Sequence, residues 1–278
     1  MDYIFITGVS SGIGYDLTRF LLQKDIFVIG SVRKKSDADR LKNEFPRNFA
    51  TVFLDVTREA DFAPALEAVQ KITQNKGLIA IVNNAGIAIA GPLQHLKIDS
   101  LRLQLEVNVI GLVRTTQVFF PLLLAANKPG RIINISSVSG RVALPFVGAY
   151  AASKHAVEAI SDALRREVFI HGIKVINIQP ASAHSEIWNK AIDQKDEYVN
   201  TEYKPILQKM EENIQQTIRN AIPTRMVSEA IWKAISHPSP KTRYIVAPSK
   251  WKFKLFNLLP DKWLDFLITK NIKKYWKK

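Results

Sequence analysis

Tyr150 and Lys154 stand four residues apart in AYAASK, so on a helix they share one face. Ser137 lies thirteen residues before Tyr150, at the end of the run IINISS, where a strand would finish. A phenol, an ammonium and a hydroxyl gathered at one sheet edge suit the interconversion of an alcohol and a carbonyl. Reduction needs a proton donor beside the hydride, and oxidation needs the matching base. A phenol with a pKa of about 10 is a weak base near neutrality, and lowering it by ~2.5 units takes ~3.4 kcal/mol. A lysine ammonium ~4 Å away supplies a comparable ~4 kcal/mol at an effective dielectric of ~20. Lys154 is therefore expected to pull the Tyr150 phenol down, and Ser137 to hold the substrate oxygen and steady its developing charge. Ser136 and Ser139 are neighbouring candidates that fit the spacing less well.

Such a pair needs a hydride carrier beside it. The first apolar run, YIFIT, passes straight into TGVSSGIG, residues 7–14, and then into a helical pattern. Gly8 permits the tight turn, Gly12 lets the backbone approach a diphosphate, and Gly14 lets helix and strand pack closely. Ser10, Ser11 and Ile13 complete the turn, and the helix offers its unpaired N–H groups and positive dipole end to the diphosphate. At the end of the second run, IFVIGSVRKK, Val32 stands where NAD-preferring enzymes carry an acidic residue, and Arg33, Lys34 and Lys35 follow. No carboxylate repels a 2′-phosphate there, and Arg33 can grip one bidentately, so NADP(H) is the expected cofactor.

Apolar runs supply the elements that must carry these residues, and strands are predicted over 3–7, 26–32, 50–56, 78–83, 131–137, 174–179 and 244–247. Most are apolar nearly throughout, as in central strands covered on both faces. Helical patterns fill the intervals, for example 12–24, 59–74, 100–126 and 149–171. This strand–helix rhythm predicts an α/β chain, one doubly wound parallel sheet forming a single domain over 1–278. The rhythm stops after Pro180. Residues 185–226 contain no strand pattern but carry Ile206, Met210, Ile214 and Ile218 as a helical stripe, which reads as substrate-covering helices or as ordinary surface packing.

The chain resembles the short-chain dehydrogenase/reductase family in TGVSSGIG, NNAG at 83–86, NVIG with Asn108, Ser137 and YAASK at 150–154. The resemblance implies a seven-stranded Rossmann sheet, Tyr150 as acid/base, Lys154 on the ribose and beside Tyr150, and Ser137 on the carbonyl. It further implies that Asn108 holds a proton-relay water, that Asp55 and Val56 face the adenine, and that Asn84, Ala85 and Gly86 line the cofactor. Where the family has Pro-Gly after the sixth strand, this chain has Pro180-Ala181, and the later hydroxyl that meets the carboxamide falls on Ser185. SSVSGR, AVEAISDALRREV and HPSPKTRY resemble the retinol and hydroxysteroid dehydrogenase branch, which implies a lipophilic alcohol or ketone.

Composition closes other routes. With no cysteine there are no disulfides, thiolate zinc sites or cysteine nucleophiles, and the five histidines form no local metal motif. The net charge is +14, half of it between Lys250 and Lys278, where nine lysines face only Asp261 and Asp265. Aromatic residues interleave with those lysines. The extension 250–278 either contacts an anionic membrane surface or folds its apolar side over the substrate cleft. Nucleic-acid recognition is not expected, since no reading motif accompanies the charge. No signal peptide or run of eighteen apolar residues is visible, so a cytoplasmic location is expected, with membrane-surface contact through the tail left open. The family resemblance implies a homo-oligomer, dimer or tetramer. The rival functions are a 3-oxoacyl-(carrier protein) reductase and a non-enzymatic redox-sensing dinucleotide binder.

Overall fold

Runs with apolar residues at consecutive positions must bury both faces, and the sheet does so. All four residues of β1 (Tyr3–Ile6) are buried, as are those of β4 (Ala80–Asn83) and all five of β5 (Arg131–Ile135). The computed structural model describes residues 1–184, 187, 198, 200–209, 219, 221–256 and 258–273. With β2 (Phe27–Val32), β3 (Phe49–Phe53), β6 (Lys174–Pro180) and β7 (Arg243–Val246), these strands form one seven-stranded sheet in the order β3-β2-β1-β4-β5-β6-β7. Every pairing is parallel. The expected doubly wound Rossmann architecture is thus present, and its order reverses between β1 and β4, where a crevice opens at the carboxyl ends.

Alternate strand residues feed two cores. Ile4, Ile6, Val28, Ile133 and Ile178 pack beneath α1 (Gly12–Leu22), α2 (Lys35–Glu44) and α7 (Thr224–Ser236). Phe5, Ile29, Ile81, Ile132 and Val175 pack on the opposite face beneath α3 (Phe62–Thr73) and α5 (Gly111–Leu124), with the Phe5 and Phe119 rings stacked at 4.3 Å. Fully burying such side chains stabilises by about 1.5–3 kcal/mol each.

Most predicted ends shift by a residue or a few, and three differences from the sequence reading bear on the site, each for a local reason. The predicted helix 100–126 is α4 (Ile98–Leu105) joined to α5 by a π-helical turn, Glu106–Ile110, which turns Asn108 inward. The span Ile98–Leu124 is long and apolar enough to cross a membrane. It nevertheless buries Gln104, Asn108, Thr115 and Thr116 in the protein interior, as a core helix does. The strands expected over 50–56 and 131–137 stop at Phe53 and Ile135, which leaves Asp55, Val56 and Ser137 on the loops at the crevice. The third difference concerns the covering insertion. The chain returns at Ile222, which pairs with Ala183 and donates to the Ser182 carbonyl at 2.8 Å. Residues 224–226 already belong to α7, which packs on α1 in the core.

Candidate active site

A cavity of about 1010 Å³ lies at the crevice and runs from Gly8 and Gly12 past Arg33 and Asp55 to Ser137, Tyr150 and Lys154. The glycine turn forms its inner wall. Gly8 has φ +72°, and a Cβ on Gly14 would lie 2.3 Å from the Gly8 carbonyl oxygen and 2.5 Å from Asn84 Nδ2. Only glycine fits at that approach. Ser11, at the N-cap of α1, makes no side-chain capping bond, which leaves the first-turn N–H groups of a helix start that lines the cavity without that competitor. These features fit a dinucleotide diphosphate.

Four further groups hold the turn. Asn84 Nδ2 donates to the carbonyls of Thr7 and Gly8, both at 2.9 Å, and Thr7 Oγ1 accepts from the N–H groups of Asn84 and Ala85. Ser31 Oγ accepts from the Gly8 N–H at 3.0 Å, and Arg40 on α2 donates to the Ser10 carbonyl at 2.7 Å. Neither Ser31 nor Arg40 is among the residues expected at the turn from the sequence. Ser31 could have been found, as the one hydroxyl within the apolar run FVIGSV. Arg40 sends no such signal, because its partner is thirty residues away.

Arg33 and Asp55 flank the cavity with Arg33 Nη1 3.9 Å from Asp55 Oδ2. Asp55 is otherwise committed to its own loop, its Oδ1 accepting from the Thr57 N–H and hydroxyl. Val56, Ala85, Gly86, Ser10, Ile13 and Pro180 also line the cavity. Ala181, the departure from the family pattern, has its N–H fixed to the Val246 carbonyl of β7 at 2.9 Å. Ser185 lies outside the described residues.

Tyr150 and Lys154 sit one turn apart on the buried face of α6 (Gly148–Glu167). Ser137 caps the short turn after β5, accepting from the Ser139 N–H at 3.1 Å, and its hydroxyl is hydrogen-bonded to the Tyr150 phenol. That contact distinguishes Ser137 from Ser136 and Ser139, which also line the cavity. Burial pushes the Tyr150 pKa up to about 12, with the Ser137 bond pulling the other way. This corrects the expectation that Lys154 lowers the phenol. Lys154 Nζ lies 5.7 Å from the centre of the Tyr150 ring and donates to the Ile135 carbonyl at 2.7 Å. Its own pKa is lowered to about 8 by burial, opposed by the Glu158 charge. Burial outweighs the Ser137 bond here, and the phenol keeps its proton.

Glu158, one turn beyond Lys154, was also missed. It is buried, accepts from Arg243 Nε at 2.8 Å and from Gln179 Nε2 at 2.9 Å, and so ties α6 to β6 and β7. A carboxylate at i+4 from a lysine on a buried helical face was the available signal. Asn108, by contrast, spends its side chain on the fold. It accepts from the Ile87 N–H at 2.9 Å and donates to the Ile87 carbonyl and Ser153 Oγ, both at 3.0 Å. Ser153 in turn donates to the Tyr150 carbonyl at 2.7 Å, so Asn108 braces the helix that carries the phenol.

The far end of the cavity is apolar. Leu144, Phe146, Ile187, Phe253, Ile268 and Ile272 line it, the last three from α8 (Lys250–Phe256) and α9 (Asp261–Lys273). Among the described residues of the C-terminal extension, α8 and α9 thus turn an apolar side to the cavity. Of the expected lid stripe, Ile206 is buried, whereas Met210, Ile214 and Ile218 lie outside the described residues. Tyr203 packs edge-on against Phe146 at 5.5 Å and fastens the described part of the lid to the cavity wall.

The family model described as short chain dehydrogenase matches residues 2–196. The NADPH-dependent 3-dehydrocapnine reductase of Ornithobacterium rhinotracheale is 41% identical over 99% of this chain and 98% of its own. Retinol dehydrogenase 7 of Mus musculus is 32% identical over 99% of this chain and 88% of its own. A short-chain dehydrogenase structure from Streptomyces avermitilis superposes with a TM-score of 0.78 at 22% identity, over 99% of this chain and 98% of that one. The chain belongs to the short-chain dehydrogenase/reductase family. It is an oxidoreductase.

Proposed function

We propose that this NADP(H)-dependent enzyme reduces a ketone or aldehyde on a lipophilic substrate to the alcohol. The observation that carries this reading is a buried Tyr150–Ser137 pair, its phenol held protonated, at the junction between the glycine turn and an apolar chamber. NADPH, when bound, supplies the hydride. Ser137 Oγ holds the substrate oxygen, and Tyr150 gives it a proton as the charge develops. Lys154 remains a cation near neutrality and stabilises the phenolate left when Tyr150 gives up its proton. Arg33 receives the 2′-phosphate, Gly8, Gly12 and Gly14 admit the diphosphate, and Asp55 and Val56 border the adenine. The NADPH-dependent reductase activity named for the Ornithobacterium relative supports reduction, and the retinol dehydrogenase named for the mouse one supports an apolar substrate.

The rival 3-oxoacyl-(carrier protein) reduction is disfavoured by Phe253, Ile268 and Ile272 roofing the chamber, since a carrier-linked chain needs an open approach. A redox sensor has no use for the Ser137, Tyr150 and Lys154 constellation. A homo-oligomer, dimer or tetramer, pairing through α5 and α6, and a cytoplasmic enzyme meeting a membrane surface through its C-terminal extension belong to the same reading. The test is NADPH oxidation across 3-dehydrocapnine, retinal, steroid ketones, acetoacetyl thioesters and small aldehydes. Turnover is expected to favour the bulky apolar carbonyls. Turnover confined to the carrier thioesters would overturn it.

A further inference from the structure

Helix α9 is apolar on two sides. Leu264, Ile268 and Ile272 recur at four-residue intervals and are half-buried, and the last two line the cavity. A second stripe points outward: Trp263, Phe266 and Leu267 are 65%, 59% and 41% exposed. Trp251 and Leu255 on α8 and Leu258 in the connection are likewise 64%, 52% and 79% exposed. A single exposed leucine is ordinary, but six large apolar side chains exposed within seventeen residues call for an occupant. Lys250, Lys262, Lys270 and Lys273 are exposed on the same two helices, and the sequence adds five more lysines to this extension.

The charge decides between occupants. A second copy presenting the same face would bring a net +7 against +7, with the lysines of one copy facing those of the other. An anionic lipid surface instead accepts the aromatic and aliphatic side chains below its headgroups and the ammonium groups among them. We propose that the outer face of α8–α9 seats the enzyme on an anionic bilayer, so that an apolar substrate passes into the cavity beneath those same helices. The docking deepens the membrane contact of the proposed reading by naming its face, and the passage of substrate rests on the lipophilic chemistry of that reading.

The test is sedimentation of the full chain with vesicles of phosphatidylcholine alone and with 30 mol% phosphatidylserine, roughly the anionic range in which such segments bind. Wild type is expected to sediment with the anionic vesicles and to be released as salt rises. A Lys262→Gln, Lys270→Gln, Lys273→Gln triple variant should bind about a hundredfold more weakly, at about a factor of five per lysine. A Trp263→Ser, Phe266→Ser, Leu267→Ser variant should lose binding to the anionic vesicles. Both variants should keep wild-type melting temperature and NADPH affinity, because none of the six residues lines the cavity. Wild type left in the supernatant, or variants sedimenting like wild type, would overturn the proposal. So would a wild-type oligomer that dissociates in the serine variant while vesicle binding is absent, which would assign the face to a second copy. Docking without turnover of any lipophilic carbonyl would sink the functional reading and leave this one standing.

Discussion

The two ends of the cavity are built on different physics. At the glycine end, recognition is a matter of backbone position: a Cβ on Gly14 would come within 2.3 Å of the Gly8 carbonyl, and Asn84, Thr7, Ser31 and Arg40 all spend hydrogen bonds on holding that turn. At the far end, six apolar side chains from four separate segments offer surface and almost no direction. A wall of the first kind tolerates almost no substitution and accepts one type of ligand. A wall of the second kind tolerates many and discriminates by size, since a methylene is worth only about 1–3 kcal/mol to a pocket. The reaction is therefore far easier to read than the substrate.

Tyr150 sits where the two ends meet, and replacing it tests whether they are separable. Tyr150→Phe keeps the ring and removes the proton donor. Its kcat is expected to fall by about 10²–10⁴-fold, the usual contribution of a positioned acid. Fluorescence titration should show NADPH affinity within about twofold of wild type, because the turn that holds the diphosphate is untouched. Comparable loss of cofactor binding would show that the phenol supports the turn and would break the division.

Lys154 shows the cost of placing chemistry at that junction. Burial lowers its pKa from 10.5 to about 8, so the ammonium carried at pH 7 costs on the order of 3 kcal/mol. Below pH 8 both folded and unfolded chains hold the proton, and the penalty is present in full. Between pH 8 and 10.5 the unfolded lysine keeps its proton while the folded one has shed it, so unfolding takes up a proton and stability rises with pH. Lys154→Met should be inactive yet more stable at pH 7 by roughly 2 kcal/mol, after about 1 kcal/mol for the lost bond to the Ile135 carbonyl. Calorimetry should show a Tm raised by roughly 5 °C at pH 7 and a smaller gain at pH 9.5. A variant that melts lower than wild type at pH 7 would mean that Lys154 is a structural contributor instead of a burden.

Legibility in the sequence followed the same division. The strands could be read because burial on both faces forces consecutive apolar residues, and the glycine turn because its spacing is set by steric contact. Helix α2 was not among the segments picked out, since KSDADRLKNE buries only Ala38 and Leu41 and shows little periodicity. The π-helical turn at Glu106–Ile110 was also invisible. Asn108 is drawn inward there to the backbone of Ile87, a partner twenty-one residues upstream that no local pattern announces. The direction of the Tyr150 shift was misjudged because a Coulomb estimate between two side chains omits the desolvation that enclosure imposes on both. The dual face of α9 was half legible. Its lysines and aromatics were plain, but only packing could show which stripe turns inward.

The smallest expected effect falls on the cofactor end. Arg33 is 67% exposed and only loosely paired with Asp55 at 3.9 Å, so solvent screens whatever it contributes. A charge-assisted bond to a 2′-phosphate at such a site is worth about 1–2 kcal/mol. Arg33→Ala should accordingly raise the KM for NADPH about tenfold while leaving that for NADH within about twofold, with kcat unchanged for both. The readout is the ratio of kcat/KM values for the two cofactors. Because Arg33 touches no part of the glycine turn, the ratio isolates the phosphate grip from the backbone cradle. If NADH suffers as much as NADPH, Arg33 is shaping the turn instead of reading the phosphate, and specificity must come from Lys34, Lys35 or Arg40 around the same loop.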